Sequence, residues 1–160
     1  YSNSFQAELD MSPVHNLEVR MAYRLYDVKT QYEMGLLSKP MVSKNRAFLN
    51  LAYDLKGWKF DYTVNVPGKK RLPYTMSNPY IYQRMDHSPA YVLMNAQISK
   101  TVGKKHPIDL YIGGENLTNY MQEDAIVAPG QPFSPYFDAS MIWGPVTGRQ
   151  IYGGFRYKIK

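Results

Sequence analysis

The sequence predicts an all-β protein, an antiparallel transmembrane β-barrel segment of about seven strands. Three observations predict it. Apolar and polar residues alternate with period two almost throughout the chain. Many of the alternating runs approach the ~9–11 residues that a tilted strand needs to cross a bilayer. The connections between the runs are, in order, short, long, short, long, short and long.

Each element follows from its own pattern. In residues 4–11, Phe5, Ala7, Leu9 and Met11 alternate with Ser4, Gln6, Glu8 and Asp10. Residues 17–26 set Leu17, Val19, Met21, Tyr23 and Leu25 against Glu18, Arg20 and Arg24. Residues 46–55 set Ala47, Leu49, Leu51, Tyr53 and Leu55 against Arg46, Asn50 and Asp54, and residues 58–66 set Trp58, Phe60, Tyr62, Val64 and Val66 against Lys59, Asp61, Thr63 and Asn65. Over 91–101 the apolar parity holds Val92, Met94, Ala96 and Ile98. Over 108–115 it holds Ile108, Leu110 and Ile112, and over 151–159 Ile151, Phe155, Tyr157 and Ile159. Such alternation means half-buried strands, and no segment reads as a helix.

The opposite parity carries Glu, Asp, Arg, Lys, Asn and Gln, as a barrel with a wet lumen requires. Residues 12–16, 56–57 and 103–107 make short turns, whereas 29–45, 67–89 and 116–149 are long connections. That rhythm matches short periplasmic turns and long extracellular loops, so a barrel is favoured over a soluble sandwich. It also implies that the last strand runs inward and ends at Lys160 in the periplasm, with Tyr53, Trp58 and Tyr157 in a periplasmic aromatic girdle.

Composition excludes several classes. The 160 residues carry no cysteine, which removes disulfide scaffolds, thiol nucleophiles and cysteine metal sites. Eleven Gly and eleven Pro without a period exclude collagen, and 44% hydrophobic content argues against a disordered tail. Nineteen Lys and Arg against 13 Asp and Glu give a net charge of +6. The basic residues are spread over the polar parity and the loops, so no nucleic-acid partner is expected. The chain opens at Tyr1 with neither an initiator Met nor a signal segment, which reads as a processed start or a piece of a longer polypeptide.

The run Leu110-Tyr111-Ile112-Gly113-Gly114-Glu115-Asn116-Leu117-Thr118-Asn119 resembles the penultimate strand of TonB-dependent outer-membrane receptors. The segment from Gly148 and Arg149 through Ile151, Phe155, Tyr157 and Ile159 resembles their closing strand. The run from Ser88 and Pro89 through Tyr91, Asn95 and Ile98 to Ser99 resembles the strand before that pair. The last loop, with Tyr136, Phe137, Asp138, Ile142, Trp143, Gly144 and Pro145, is most similar in style to receptors of the Bacteroidetes. One departure is the terminus: such barrels usually end on an aromatic residue, and this chain ends on Ile159 and Lys160.

The resemblance implies that residues 1–160 are the C-terminal strands of a larger, plugged barrel of about 22 strands in the cell outer membrane. It further implies active import of a scarce small ligand, such as a siderophore-like metal chelate. The partners would be TonB and the inner-membrane energising complex through a plug absent from this chain. Lipid, lipopolysaccharide and the rest of the same barrel would complete the surroundings. An open sheet leaves backbone groups unsatisfied in lipid, so the missing strands are expected elsewhere in the native polypeptide.

No catalytic residue, metal site or cofactor is expected. The chain lacks nucleophile-elbow and phosphate-loop motifs, and His15, His87 and His106 lack metal-ligand spacing. Asn116-Leu117-Thr118 matches a glycosylation sequon but reads as a turn. The ligand-contact candidates are Arg71, Tyr80, Tyr82, Arg84, Met85 and His87 in the 67–89 loop, with Met121 in the final loop. Glu123, Asp124, Phe133 and Tyr136 are weaker candidates there. Basic and aromatic side chains suit an anionic, ring-bearing ligand. Met85 and His87 with Met76 suit a soft metal such as copper, and a solvated loop of packed tyrosines is the plain alternative. Two other whole-chain readings remain: a soluble all-β module for carbohydrate or nucleic acid, and a small closed outer-membrane barrel with an adhesive or structural role.

Overall fold

The computed structural model of the 160-residue chain describes residues 1–103 and 107–157. The expectations resting on His106, Ile159 and Lys160 therefore fall outside the described residues. The described residues form eight strands: β1 (Ser2–Val14), β2 (Leu17–Tyr32), β3 (Gly35–Ser38), β4 (Asn45–Leu55), β5 (Trp58–Pro67), β6 (Leu93–Val102), β7 (Ile108–Glu115) and β8 (Gln150–Tyr157). They form one antiparallel sheet in the order β1-β2-β4-β5-β6-β7-β8, and β3 folds back on the end of β2. The sheet is open, with β1 and β8 at its edges.

Period-two alternation fixes the register, because a slip of one residue would move every apolar side chain to the other face. Apolar positions consequently meet in rows that run across the sheet. Leu9, Met21, Leu49, Val64 and Met94 form one row. Tyr53, Phe60, Ile98 and Ile112 form another. The opposite face carries its own rows, such as Asp10, Arg20, Asn50, Thr63 and Asn95. Cross-strand bonds tie these polar rows: Arg20 Nε donates to Asp10 Oδ1 at 2.7 Å, Asn50 Nδ2 to Thr63 Oγ1 at 2.9 Å, and Thr101 Oγ1 to Asp109 Oδ1 at 2.7 Å. Exposed ion pairs contribute only about 0–1 kcal/mol each, so backbone ladders and apolar cross-strand contacts set the order of the sheet.

The short turns gather at one end. Lys56 (φ 48°) and Gly57 (φ 80°) form a primed two-residue turn, whose left-handed backbone matches the twist of β4 and β5. His15 and Asn16 (φ 65°) reverse β1 into β2. Neighbouring turns are bonded together: the Asp54 N–H donates to Asn16 O at 2.9 Å, and the Thr101 N–H to Gly57 O at 2.8 Å. The three long connections share the opposite end.

Three details differ from the pattern read along the chain. Residues 29–45 are not a plain loop. β2 runs on to Tyr32 and returns through the four-residue β3, whose Gly-Leu-Leu-Ser is too short to display a period. The strand expected from 91 begins at Leu93, because the Tyr91 ring is drawn into a stack described below. Tyr80–Tyr82 makes a single 3-10 turn where no helix is expected.

The buried cluster lies outside the strands. Leu72, Tyr91, Val127, Met141 and Trp143, all from the long connections, pack together with Met41, Tyr82, Leu93 and Tyr120 against them. Leu93 pairs with Asn65 and shares its parity with Asn95, so the cluster continues the polar face beyond the loop end of β6.

Candidate functional site

The loop end is assembled around two polar hubs. Asn116 (φ 50°) leaves β7 in the left-handed region, which asparagine tolerates better than most residues. Its Nδ2 donates to Tyr120 O at 2.8 Å and Thr147 O at 3.1 Å, and its Oδ1 accepts from the Tyr120 N–H at 3.1 Å. The loop's exit is therefore tied to its entry. Asn119 adds to this, its Oδ1 accepting the Arg149 N–H at 2.9 Å. Deeper in, the buried Gln122 donates to Met141 O at 2.7 Å and accepts the Trp143 and Gly144 N–H groups at 2.7 and 2.9 Å.

Those hubs place the aromatics. Tyr91 and Tyr120 stack with centroids 4.7 Å apart, and Trp143 tilts against Tyr91 at 5.9 Å. Lys70 reaches the Trp143 carbonyl and lies 5.9 Å from the Tyr91 ring centroid. Burial, then the nearby Arg46 charge, holds the Lys70 ammonium below its ordinary pKa. Burial raises the Tyr91 and Tyr120 hydroxyls, with Glu123 adding to the shift at Tyr120.

A cavity of about 400 Å³ opens between the 67–89 and 116–149 connections. Leu72, Met141 and Trp143 form its buried floor, while Met85 and Met121, 63% and 50% exposed, stand at the mouth. Tyr120, Gln122, Arg84, Glu123 and Asp124 also line it. Hollows of about 580 and 620 Å³ occur on the polar face, but they are troughs of the open sheet with no element opposite. The 400 Å³ cavity combines buried apolar walls with convergent polar groups, as small-molecule sites do.

The structure brings Arg84, Met85 and Met121 together at this cavity, with the weaker candidates Glu123 and Asp124, and places the other candidates elsewhere. Arg71 pairs with His87 in an isolated bridge, lies 5.4 Å from the Tyr32 ring centroid, and donates to Ser38 O at 3.0 Å. Tyr82 stacks on Tyr136 at 5.5 Å and donates to Gln131 Oε1 at 3.1 Å. Tyr80 is 87% exposed in the 3-10 turn. Leu72, Tyr120, Gln122, Met141 and Trp143 were not legible as cavity residues. Their only signal is the density of aromatics and methionines in the two connections.

No family model matches the sequence, and no curated protein matches it either. Chemistry must therefore be read from the side chains. Among the described residues no cluster of three or more His, Asp or Glu could hold a metal ion. No helix among them is long and apolar enough to cross a membrane, which says nothing of crossing by strands. The cavity has no nucleophile–base pair, and its thioethers, rings and carboxylates are suited to binding a small molecule.

Proposed function

We propose that this chain is part of the wall and outer rim of a TonB-dependent transporter in the outer membrane, which takes in a scarce small ligand. The observation that carries the reading is the two-sidedness of the sheet. One face bears mostly apolar rows, interrupted by Lys100 between Trp58 and Leu110, and the other bears mostly polar rows that also hold Ala22, Phe48 and Leu93. Among the described residues neither face has a second layer packed on it. Phe5, Leu9, Leu110, Ile112, Ile151 and Phe155 are all exposed on the apolar side. A soluble monomer rarely leaves such a patch beyond a few hundred Å² uncovered. Lipid would cover that face, and water in a lumen would solvate the other.

Strands of 8 to 16 residues in the main sheet suit a bilayer crossing. The short turns then face the periplasm, and the cavity lies at the extracellular rim. Further strands of the same polypeptide would cover the edges of β1 and β8, and a plug would contact TonB. Ligand capture at the cavity would precede import.

Fractionation tests the reading. The native polypeptide carrying this sequence should be recovered with outer membranes, and in non-ionic detergent it should migrate faster unboiled than boiled. Recovery in the soluble fraction would overturn the reading and favour a soluble carbohydrate- or nucleic-acid-binding module.

A further inference from the structure

We propose that the loop-end cavity selects a compact ligand with an aromatic or alkyl body and a positively charged group. This inference rests on the transporter reading and deepens it by assigning the ligand's charge.

The body is set by the floor. Leu72, Met141 and Trp143 are nearly inaccessible to solvent, and Met85 and Met121 present polarizable thioethers at the mouth. An apolar or aromatic group seated between them exchanges water for rings and sulfur, and thioethers adapt to varied shapes. The volume of about 400 Å³ lies within the usual range for small-molecule sites.

The charge is set by which ionic groups remain available. Of the positive side chains early in the 67–89 connection, Lys69, Lys70 and Arg71 do not line the cavity, Lys70 being engaged by the Trp143 carbonyl and Arg71 by Tyr32 and Ser38. Arg84 does line the cavity. Its terminal nitrogens donate to Gln83 O at 3.0 Å and, more weakly, to Ile81 O and Ile126 O at 3.5 Å. Its Nε lacks a partner but is sealed from solvent, so no ligand reaches it in this conformation. Glu123 and Asp124 differ: both are exposed, both line the cavity, and neither belongs to the ion pairs found among the described residues. Arg84 keeps its charge on neutral carbonyls, so the lining holds one positive group against two exposed carboxylates, a net negative charge that beside aromatic faces favours a cation.

The test uses three matched probes: 1-naphthylmethylammonium, 1-naphthalenemethanol and 1-naphthoate. Each is titrated calorimetrically into the full-length native protein in non-ionic detergent, against a detergent blank. Unboiled electrophoretic mobility confirms that the same sample is folded. The ammonium should bind about five- to tenfold more tightly than the alcohol, and the carboxylate should bind most weakly. That preference should shrink in salt and vanish in the E123Q/D124N protein. Equal binding of the three, preference for the carboxylate, no binding, or a cation preference that survives E123Q/D124N would overturn the inference. Any of these results in a heat-modifiable outer-membrane protein would leave the transporter reading standing, whereas recovery as a soluble protein would remove that reading itself.

Discussion

Tyr152 lies across Gly113 on the neighbouring strand, so closely that a Cβ at Gly113 would stand 2.5 Å from the ring. Tyr111 repeats the arrangement over Gly154, where a Cβ would meet the hydroxyl at 2.6 Å. The two tyrosines sit on the same face of β7 and β8, their ring centroids 6.4 Å apart. Each covers the backbone that a glycine leaves bare, and Tyr152 also reaches across β7 to donate to Gln97 at 3.1 Å.

Gly113→Ala and Gly154→Ala should each destabilise the β7–β8 pair by about 1–3 kcal/mol, the usual cost of overpacking. Gly130→Ala, where a Cβ meets nothing within 4 Å, should stay within about 0.5 kcal/mol. Denaturant midpoints of the three variants check this. Equal midpoints would contradict the close packing.

Gln122→Leu should release the final connection while leaving the sheet intact. The change strips partners from the Met141 carbonyl and from the Trp143 and Gly144 amides, and each buried unpaired group costs about 1–3 kcal/mol. Faster amide exchange at Trp143 and Gly144, with β4 and β5 still protected, is the expected result.

The two faces of the sheet should respond oppositely to charge. Leu49→Arg, in the middle of an apolar row, should cost about 2–4 kcal/mol of stability in the membrane. Thr63→Arg, on the polar face, should be nearly neutral. Similar losses for both variants in detergent-to-lipid refolding would count against lipid on the apolar side.

Stability of the loop-end cluster should depend on pH in two directions. Lys70 is held below its ordinary pKa of 10.5, so between its lowered value and 10.5 the unfolded state binds more protons and stability rises with pH. Tyr91 and Tyr120 are raised above 10.0, so above that pH the unfolded state loses protons first and stability falls. Trp143 emission in a Trp58→Phe background should follow this rise and fall. Continued stabilisation above the ordinary tyrosine range would contradict the burial of the two rings.

The hairpin from β4 to β5 is plain in the sequence because alternation and a Lys-Gly turn agree on it. The short β3 is not, since four residues cannot show a period, although it pairs with the adjoining end of β2 across a two-residue turn, Tyr32 opposite Gly35. Tyr91 opens the stretch read as this strand, on the parity of Asn95, yet its ring is taken by Tyr120, a contact between connections that no local pattern encodes. For the cavity, Arg84, Met85 and Met121 stood out by residue type. Arg71 stood out by its basic character, and the structure engages its side chain with the Ser38 carbonyl and the Tyr32 ring, contacts that no local pattern displays. Gln122 is an ordinary residue until the chain returns at 141–144 to meet it.

The paired asparagines at the mouth of the final connection give it the form of a purse drawn shut. Entry at Asn116 and exit at Thr147 are bonded to each other, so what lies between can change in length or composition while β7 and β8 keep their register. Changes in the connection and changes in the strands would thus fall on separable stretches of one gene.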